Sequence, residues 1–129
     1  QIFIESALMK QDILINGDGN DKLDFTYIDD LIQGIVLCCE NKKAKNETFN
    51  ITYGNARKIN DLLAVLKSQF KDIKVNYVAK EKFVPERGTL NIDKAKKLLG
   101  YNPSFSIDSG YKRYIEWYKN FFEKKMLND

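Results

Sequence analysis

Asn16-Gly17-Asp18-Gly19-Asn20-Asp21-Lys22-Leu23-Asp24-Phe25-Thr26-Tyr27-Ile28-Asp29-Asp30 places a glycine turn, an aromatic strand signal and an acidic helix start in immediate succession. Gly17 and Gly19 admit positive φ on either side of Asp18, so the chain can reverse between Ile13-Leu14-Ile15 and an expected strand from Asp24 to Ile28, as a hairpin does. Asp30 is then placed to cap a helix starting at Leu31, with Asp29 adding favourable charge near its positive end and Asp24 closing the turn.

Working outward, helical and extended patterns alternate. Ile2 to Met9 reads as a helix end and Asp12 to Asn16 as a short strand. Ile32, Ile35, Val36 and Cys39 recur at helical spacing, and a Lys/Asn-rich exit from Asn41 to Asn46 follows as a surface loop. Thr48 to Tyr53 has the alternation of a strand closed by Gly54-Asn55. Ile59, Leu62, Leu63, Leu66 and Phe70 mark one face of a helix, and Lys74 to Val78 is a further strand. Asp93 is expected to cap a helix whose Ala95, Leu98 and Leu99 turn inward before Gly100 and Pro103 end it. Ser106 is placed to cap the last helix, with Tyr111, Tyr114, Ile115, Tyr118 and Phe122 as an apolar stripe and Trp117 at its side. The stretches Asn41 to Glu47 and Val84 to Leu90 are the candidates for flexibility. The pattern is that of a small α/β unit.

A chain of 129 residues suits one domain, residues 1–129, and its 43% hydrophobic and 30% charged content is ordinary for a globular protein. No apolar run spans a bilayer. The net charge of +3 comes from lysines interleaved with acids, and no basic face with stacking aromatics points to nucleic acid. Cys38 and Cys39 are adjacent in a helical pattern, where a bond between them would be strained; reduced thiols and a cytoplasmic setting are expected. With no histidine, zinc sites built from Cys and His and every His-based acid, base or triad mechanism are excluded. Gln1 is not a start residue, so the chain reads as a piece of something longer.

Four landmarks in order carry a resemblance: Gly17-Asp18-Gly19 leading to Asp24-Phe25-Thr26-Tyr27-Ile28-Asp29-Asp30; Phe49-Asn50-Ile51 before Gly54; Ile59-Asn60-Asp61-Leu62; and Asp93-Lys94-Ala95-Lys96-Lys97-Leu98-Leu99-Gly100-Tyr101-Asn102-Pro103. The chain resembles the C-terminal, substrate-binding part of the NAD-dependent nucleotide-sugar epimerases and dehydratases, the extended short-chain dehydrogenases. The resemblance implies NAD(P) as cofactor of the intact parent, a missing N-terminal Rossmann part that binds it, a nucleotide-diphosphate sugar as ligand, and a possible homo-oligomer. The family's Tyr-x-x-x-Lys pair and glycine-rich dinucleotide loop do not occur here, so no catalytic residue and no cofactor-binding residue is named in this chain.

The resemblance also implies substrate contacts. The strand before the glycine turn offers backbone groups to a nucleobase edge, which places Leu14 and Asn16 there. Arg87, in Pro85-Glu86-Arg87-Gly88, matches an arginine that clamps the diphosphate, a task suited to a planar guanidinium fork. Similar enzymes carry an arginine before the Asp-Phe pair; here that position is Leu23, with Lys22 beside it. The implied function is nucleotide-sugar binding for epimerase or dehydratase chemistry completed elsewhere. The alternative is a non-catalytic module that keeps the scaffold and uses its aromatic C-terminal helix as a dimer or partner surface. Part of the helix from Leu31 to Glu40 and the strand from Thr48 to Tyr53 are expected to pack on missing structure, leaving apolar surface exposed.

Overall fold

The computed structural model describes residues 1–80, 82–83 and 85–126. The elements in chain order are α1 (Ile2–Leu8), β1 (Ile13–Asn16), β2 (Lys22–Leu23), α2 (Ile28–Glu40), one 3-10 turn (Lys42–Ala44), β3 (Arg57–Lys58), α3 (Ile59–Gln69), β4 (Val75–Val78), α4 (Asp93–Leu99) and α5 (Ile107–Met126). Helices alternate with short strands, which makes this a small α/β unit. β1 pairs with β4 in parallel, Ile13 opposite Val75 through Asn16 opposite Val78. β2 pairs antiparallel with β3, Lys22 opposite Lys58 and Leu23 opposite Arg57.

The glycine turn is present, with φ of 82° at Gly17 and 74° at Gly19, but it does not close a hairpin. β1 and β2 belong to different two-stranded sheets. Only Lys22 and Leu23 form a ladder, so the strand expected from Asp24 to Ile28 is corrected: Asp24 directs its carboxylate to distant donors, and α2 opens at Ile28 behind Tyr27. Asp30 therefore lies inside the first turn and is no cap. Its carboxylate, 1% exposed, accepts from the backbone of Ser104 at 2.8 Å and Phe105 at 2.9 Å.

Thr48 to Tyr53 forms no strand. A strand needs a ladder partner, and here side chains take two of the segment's carbonyls: Lys94 Nζ donates to Thr48 O, and Tyr101 OH to Thr52 O. The chain after α2 is more ordered than its composition suggests, because Asn41 accepts from Lys43 N and donates to Leu98 O. Asp93 is the first residue of α4 and not its cap, a place Ile92 takes; the Asp93 N–H is satisfied by Asn91 Oδ1 at 2.8 Å. Gly100 ends that helix at φ 73°, and Ser106 Oγ accepts from Ser109 N at the start of α5. Val84, where the second flexible stretch was expected to begin, lies outside the described residues.

Two apolar clusters hold these elements. Ile4, Ile13, Ile15, Leu63, Leu66, Ile115 and Tyr118 join α1, β1, α3 and α5. Ile92, Ala95, Leu99 and Tyr101 pack with Leu37, Phe49 and Ile51. Along α2, in contrast, Ile32 is 50% and Ile35 52% exposed.

Candidate functional site

The parallel ladder decides which main-chain groups of β1 are free. Ile13 N donates to Lys74 O and Gly17 N to Val78 O, each at 2.9 Å. Successive residues of a strand direct their N–H and C=O to opposite sides, so Leu14 and Asn16 turn theirs away from β4. No second strand covers that edge among the described residues. It presents a donor and an acceptor at each of two alternate residues, beside the 63% exposed Leu14 side chain. Such an edge can read a planar heterocycle by paired hydrogen bonds.

Beyond β4 the chain returns to the glycine turn. A Cβ at Gly17 would lie 3.5 Å from the Lys80 side chain, and the Lys80 ammonium pairs with Asp21. That bond raises the Lys80 pKa, with Glu86 and Asp18 adding smaller charge effects in the same direction. The Asp18 carboxyl is held below its usual range by the Asn20 side chain and then the Asn20 backbone. The loop carrying Arg87 thus starts alongside the turn that follows Asn16. Further on, Thr89 Oγ1 accepts from Ala56 N at 2.8 Å and Asp24 accepts from Leu90 N at 3.1 Å.

Arg87 is exposed. The other two arginines are engaged: Arg57 with Asp61 and Asp108, and Arg113 with Asp29 and the Phe105 ring. Arg87 has no hydrogen-bond or ion-pair partner among the described residues, and none joins it to Leu14 or Asn16. Its guanidinium is free to take up an anion. Leu23 lies across the ladder from Arg57, whose charge is already balanced by two carboxylates.

Gly17-Asp18-Gly19 does not provide a dinucleotide cradle. Such a loop opens a helix and lets a pyrophosphate approach its glycines. Here the turn leads into β2, and the place a Cβ would take at Gly19 is filled by Asn60 Oδ1 at 2.2 Å. Asn60 also donates to Asp18 O and accepts from Tyr77 OH. No group of three metal-ligating side chains occurs among the described residues, and no helix among them is long and apolar enough to cross a membrane.

The bridging role of Asp24 escaped sequence reasoning, because its partners Thr52, Gly54 and Leu90 lie 28 to 66 residues away. An open apolar cavity of about 1130 Å³ lies between the start of α1, residues 25–29 and α5, lined by Ile2, Phe3, Ile28, Tyr111 and Trp117 among others. It includes none of Leu14, Asn16 and Arg87.

Residues 1–114 match the GDP-mannose 4,6 dehydratase family. A UDP-glucuronate 4-epimerase from Thermodesulfobacterium geofontis is 35% identical over 123 residues, covering 94% of this chain and 38% of the relative. The crystal structure of a UDP-glucuronic acid 4-epimerase from Bacillus cereus, in complex with UDP-glucuronic acid and NAD, superposes with a TM-score of 0.84 at 31% identity, over 92% of this chain and 38% of that one. A UDP-glucose 4-epimerase from Thermotoga maritima, solved with UDP-glucose, gives 0.82 at 31% identity, over 94% and 39%. The chain therefore spans less than two fifths of each of these proteins.

Proposed function

The chain belongs to the GDP-mannose 4,6 dehydratase family, and from that premise we propose that it is the part of a sugar-nucleotide enzyme that grips the substrate. In this reading residues 1–129 form one substrate-binding domain. The free main chain of Leu14 and Asn16 takes the edge of a uracil-like base, and Arg87 pairs with the diphosphate. The observation that carries it is the unpaired β1 edge running into a turn beside the loop with an unpartnered arginine.

Holding the base and diphosphate leaves the sugar to be presented to chemistry completed by other residues. Binding energy gathered at the remote end of the substrate is thereby turned into orientation at the reacting end. NAD(P) would supply hydride transfer in the complete enzyme, bound by a dinucleotide loop that this sequence does not contain. The exposed Ile32 and Ile35 face of α2 and the cavity lined by Ile2 and Trp117 are surfaces the rest of such an enzyme would cover. Adjacent thiols at Cys38 and Cys39 support a cytoplasmic setting.

Calorimetry with UDP, dTDP, GDP and ADP tests the reading. UDP or dTDP is expected to bind with a dissociation constant below about 1 mM. Arg87→Ala is expected to weaken binding by about tenfold or more, since a hydrogen bond to a charged group contributes about 1.5–3 kcal/mol. Absence of binding, both by the chain and by a fusion to a relative's dinucleotide-binding part, would refute it.

A second reading, a non-catalytic association module, is favoured by one observation. Trp117, 56% exposed, stacks on Tyr114 at 5.9 Å and on Phe121 at 5.3 Å, so α5 displays a continuous aromatic face. Under that reading Trp117→Ala abolishes self-association and no nucleotide binds.

A further inference from the structure

Asp24 spans from the end of β2 to two segments far along the chain. Its carboxylate accepts from Thr52 Oγ1 at 3.0 Å and Gly54 N at 3.1 Å, which lie in one bend, and from Leu90 N at 3.1 Å, three residues after Arg87. The neighbouring Thr89 is fastened to the same bend region through Ala56 N at 2.8 Å. On the other side of Arg87, Glu86 is close enough to influence the Lys80 ammonium, whose stem packs on Gly17. The chain two and three residues after Arg87 is thus fastened by two hydrogen bonds, through the Thr89 hydroxyl and the Leu90 N–H, while the guanidinium itself has no partner among the described residues. That combination suits an anion clamp: an ordered backbone removes ordering entropy from the binding step, and a side chain without an internal partner need not break one.

We propose that Asp24 is a positioning residue for Arg87, acting through Leu90 to set where the guanidinium meets a nucleoside diphosphate. The proposal rests on the nucleotide-grip reading above. A carboxylate suits the task because its two oxygens can accept from three donors, which an amide at this position cannot do with one oxygen. Thr89 is the auxiliary fastening, and Thr52 shares with Leu90 one carboxylate oxygen of Asp24.

The test is UDP titration by calorimetry of the unsubstituted chain, Asp24→Asn, Thr89→Val, Arg87→Ala and the double variant Asp24→Asn/Arg87→Ala, each checked by thermal melting. Asp24→Asn is expected to weaken UDP binding about tenfold, and Arg87→Ala at least as much. The double variant is expected to bind within about twofold of Arg87→Ala alone, because a residue acting only through another has nothing left to position. Thr89→Val leaves the Asp24 network whole and is expected to weaken binding several-fold, which keeps the test decisive should Asp24→Asn fail to fold. Full additivity in the double variant, or unchanged affinity in folded Asp24→Asn or Thr89→Val, overturns the positioning role while leaving the nucleotide reading intact. No UDP binding by either the unsubstituted chain or its fusion to a relative's dinucleotide-binding part, or no effect of Arg87→Ala, overturns the nucleotide reading and this inference with it.

Discussion

Asp30 and Tyr101 show how single buried polar groups tie the second cluster together. The Asp30 carboxylate satisfies two backbone N–H groups, of Ser104 and Phe105, and the Ser104 hydroxyl at 3.3 Å. Asp30→Ala strands those donors and is expected to destabilise the fold by about 3 kcal/mol, with Asp30→Asn losing less, measured as a shift of the urea midpoint at constant slope. Tyr101 is 1% exposed and donates to Thr52 O at 3.0 Å. Burial, and then the charges of Asp30 and Asp24, push its phenol from 10.0 up to about 12. The folded state keeps this proton where the unfolded chain has lost it. Its stabilising effect is therefore fully present below pH 10 and is lost as pH rises from 10 to about 12. Tyr101→Phe is expected to begin about 1 kcal/mol less stable and to decline less steeply across that interval, as read from urea unfolding at stepped pH. Burial raises Tyr111 as well, so part of the decline persists in that variant.

Among the elements, α2 is fixed by a close approach at its centre. A Cβ at Gly34 would lie 2.3 Å from Ile51 Cγ2. Alanine there gains about 1 kcal/mol in helix propensity but overpacks at a cost of about 1–3 kcal/mol, and with a contact this short the packing penalty prevails. Gly34→Ala is therefore expected to destabilise, and Ile51→Ala to cost less in that background than alone, a coupling measurable in a double-mutant cycle. At the start of α3, Asp61 accepts from Lys58 N at 3.1 Å and from Arg57 Nε at 2.9 Å. That arrangement pins β3 to the helix, and with Asp108 it balances the Arg57 charge internally.

Across the whole molecule, burial is uneven. α3 and α5 enclose the first cluster, whereas Ile32 and Ile35 on α2 and Trp117 on α5 face outward. Exposed apolar area of this kind drives association. The isolated chain is expected to self-associate with increasing concentration in sedimentation velocity, and Ile32→Lys/Ile35→Lys to shift it toward monomer without lowering its melting temperature. A clean monomer that binds no hydrophobic dye would count against an uncovered interface.

The helices and the glycine turn could be read from residue order, because they rest on local physics: apolar spacing of three and four places the buried face of α3, and positive φ at Gly17, Gly19 and Gly100 follows from having no Cβ. The landmarks from Gly17 to Pro103 likewise pointed to the family. What local rules could not reach was pairing. Thr48 to Tyr53 carries every strand preference yet meets no ladder partner, and the glycine turn leads from one sheet to another where a hairpin was expected. Asp30, a helix cap by position, became a buried clamp because its donors lie 74 and 75 residues on. The free edge at Leu14 and Asn16 exists only because β4 took the other side of β1. Hydrogen-bond partners distant in sequence are chosen when the chain packs, and that choice settled which polar groups are satisfied internally and which, among the described residues, are left without an internal partner.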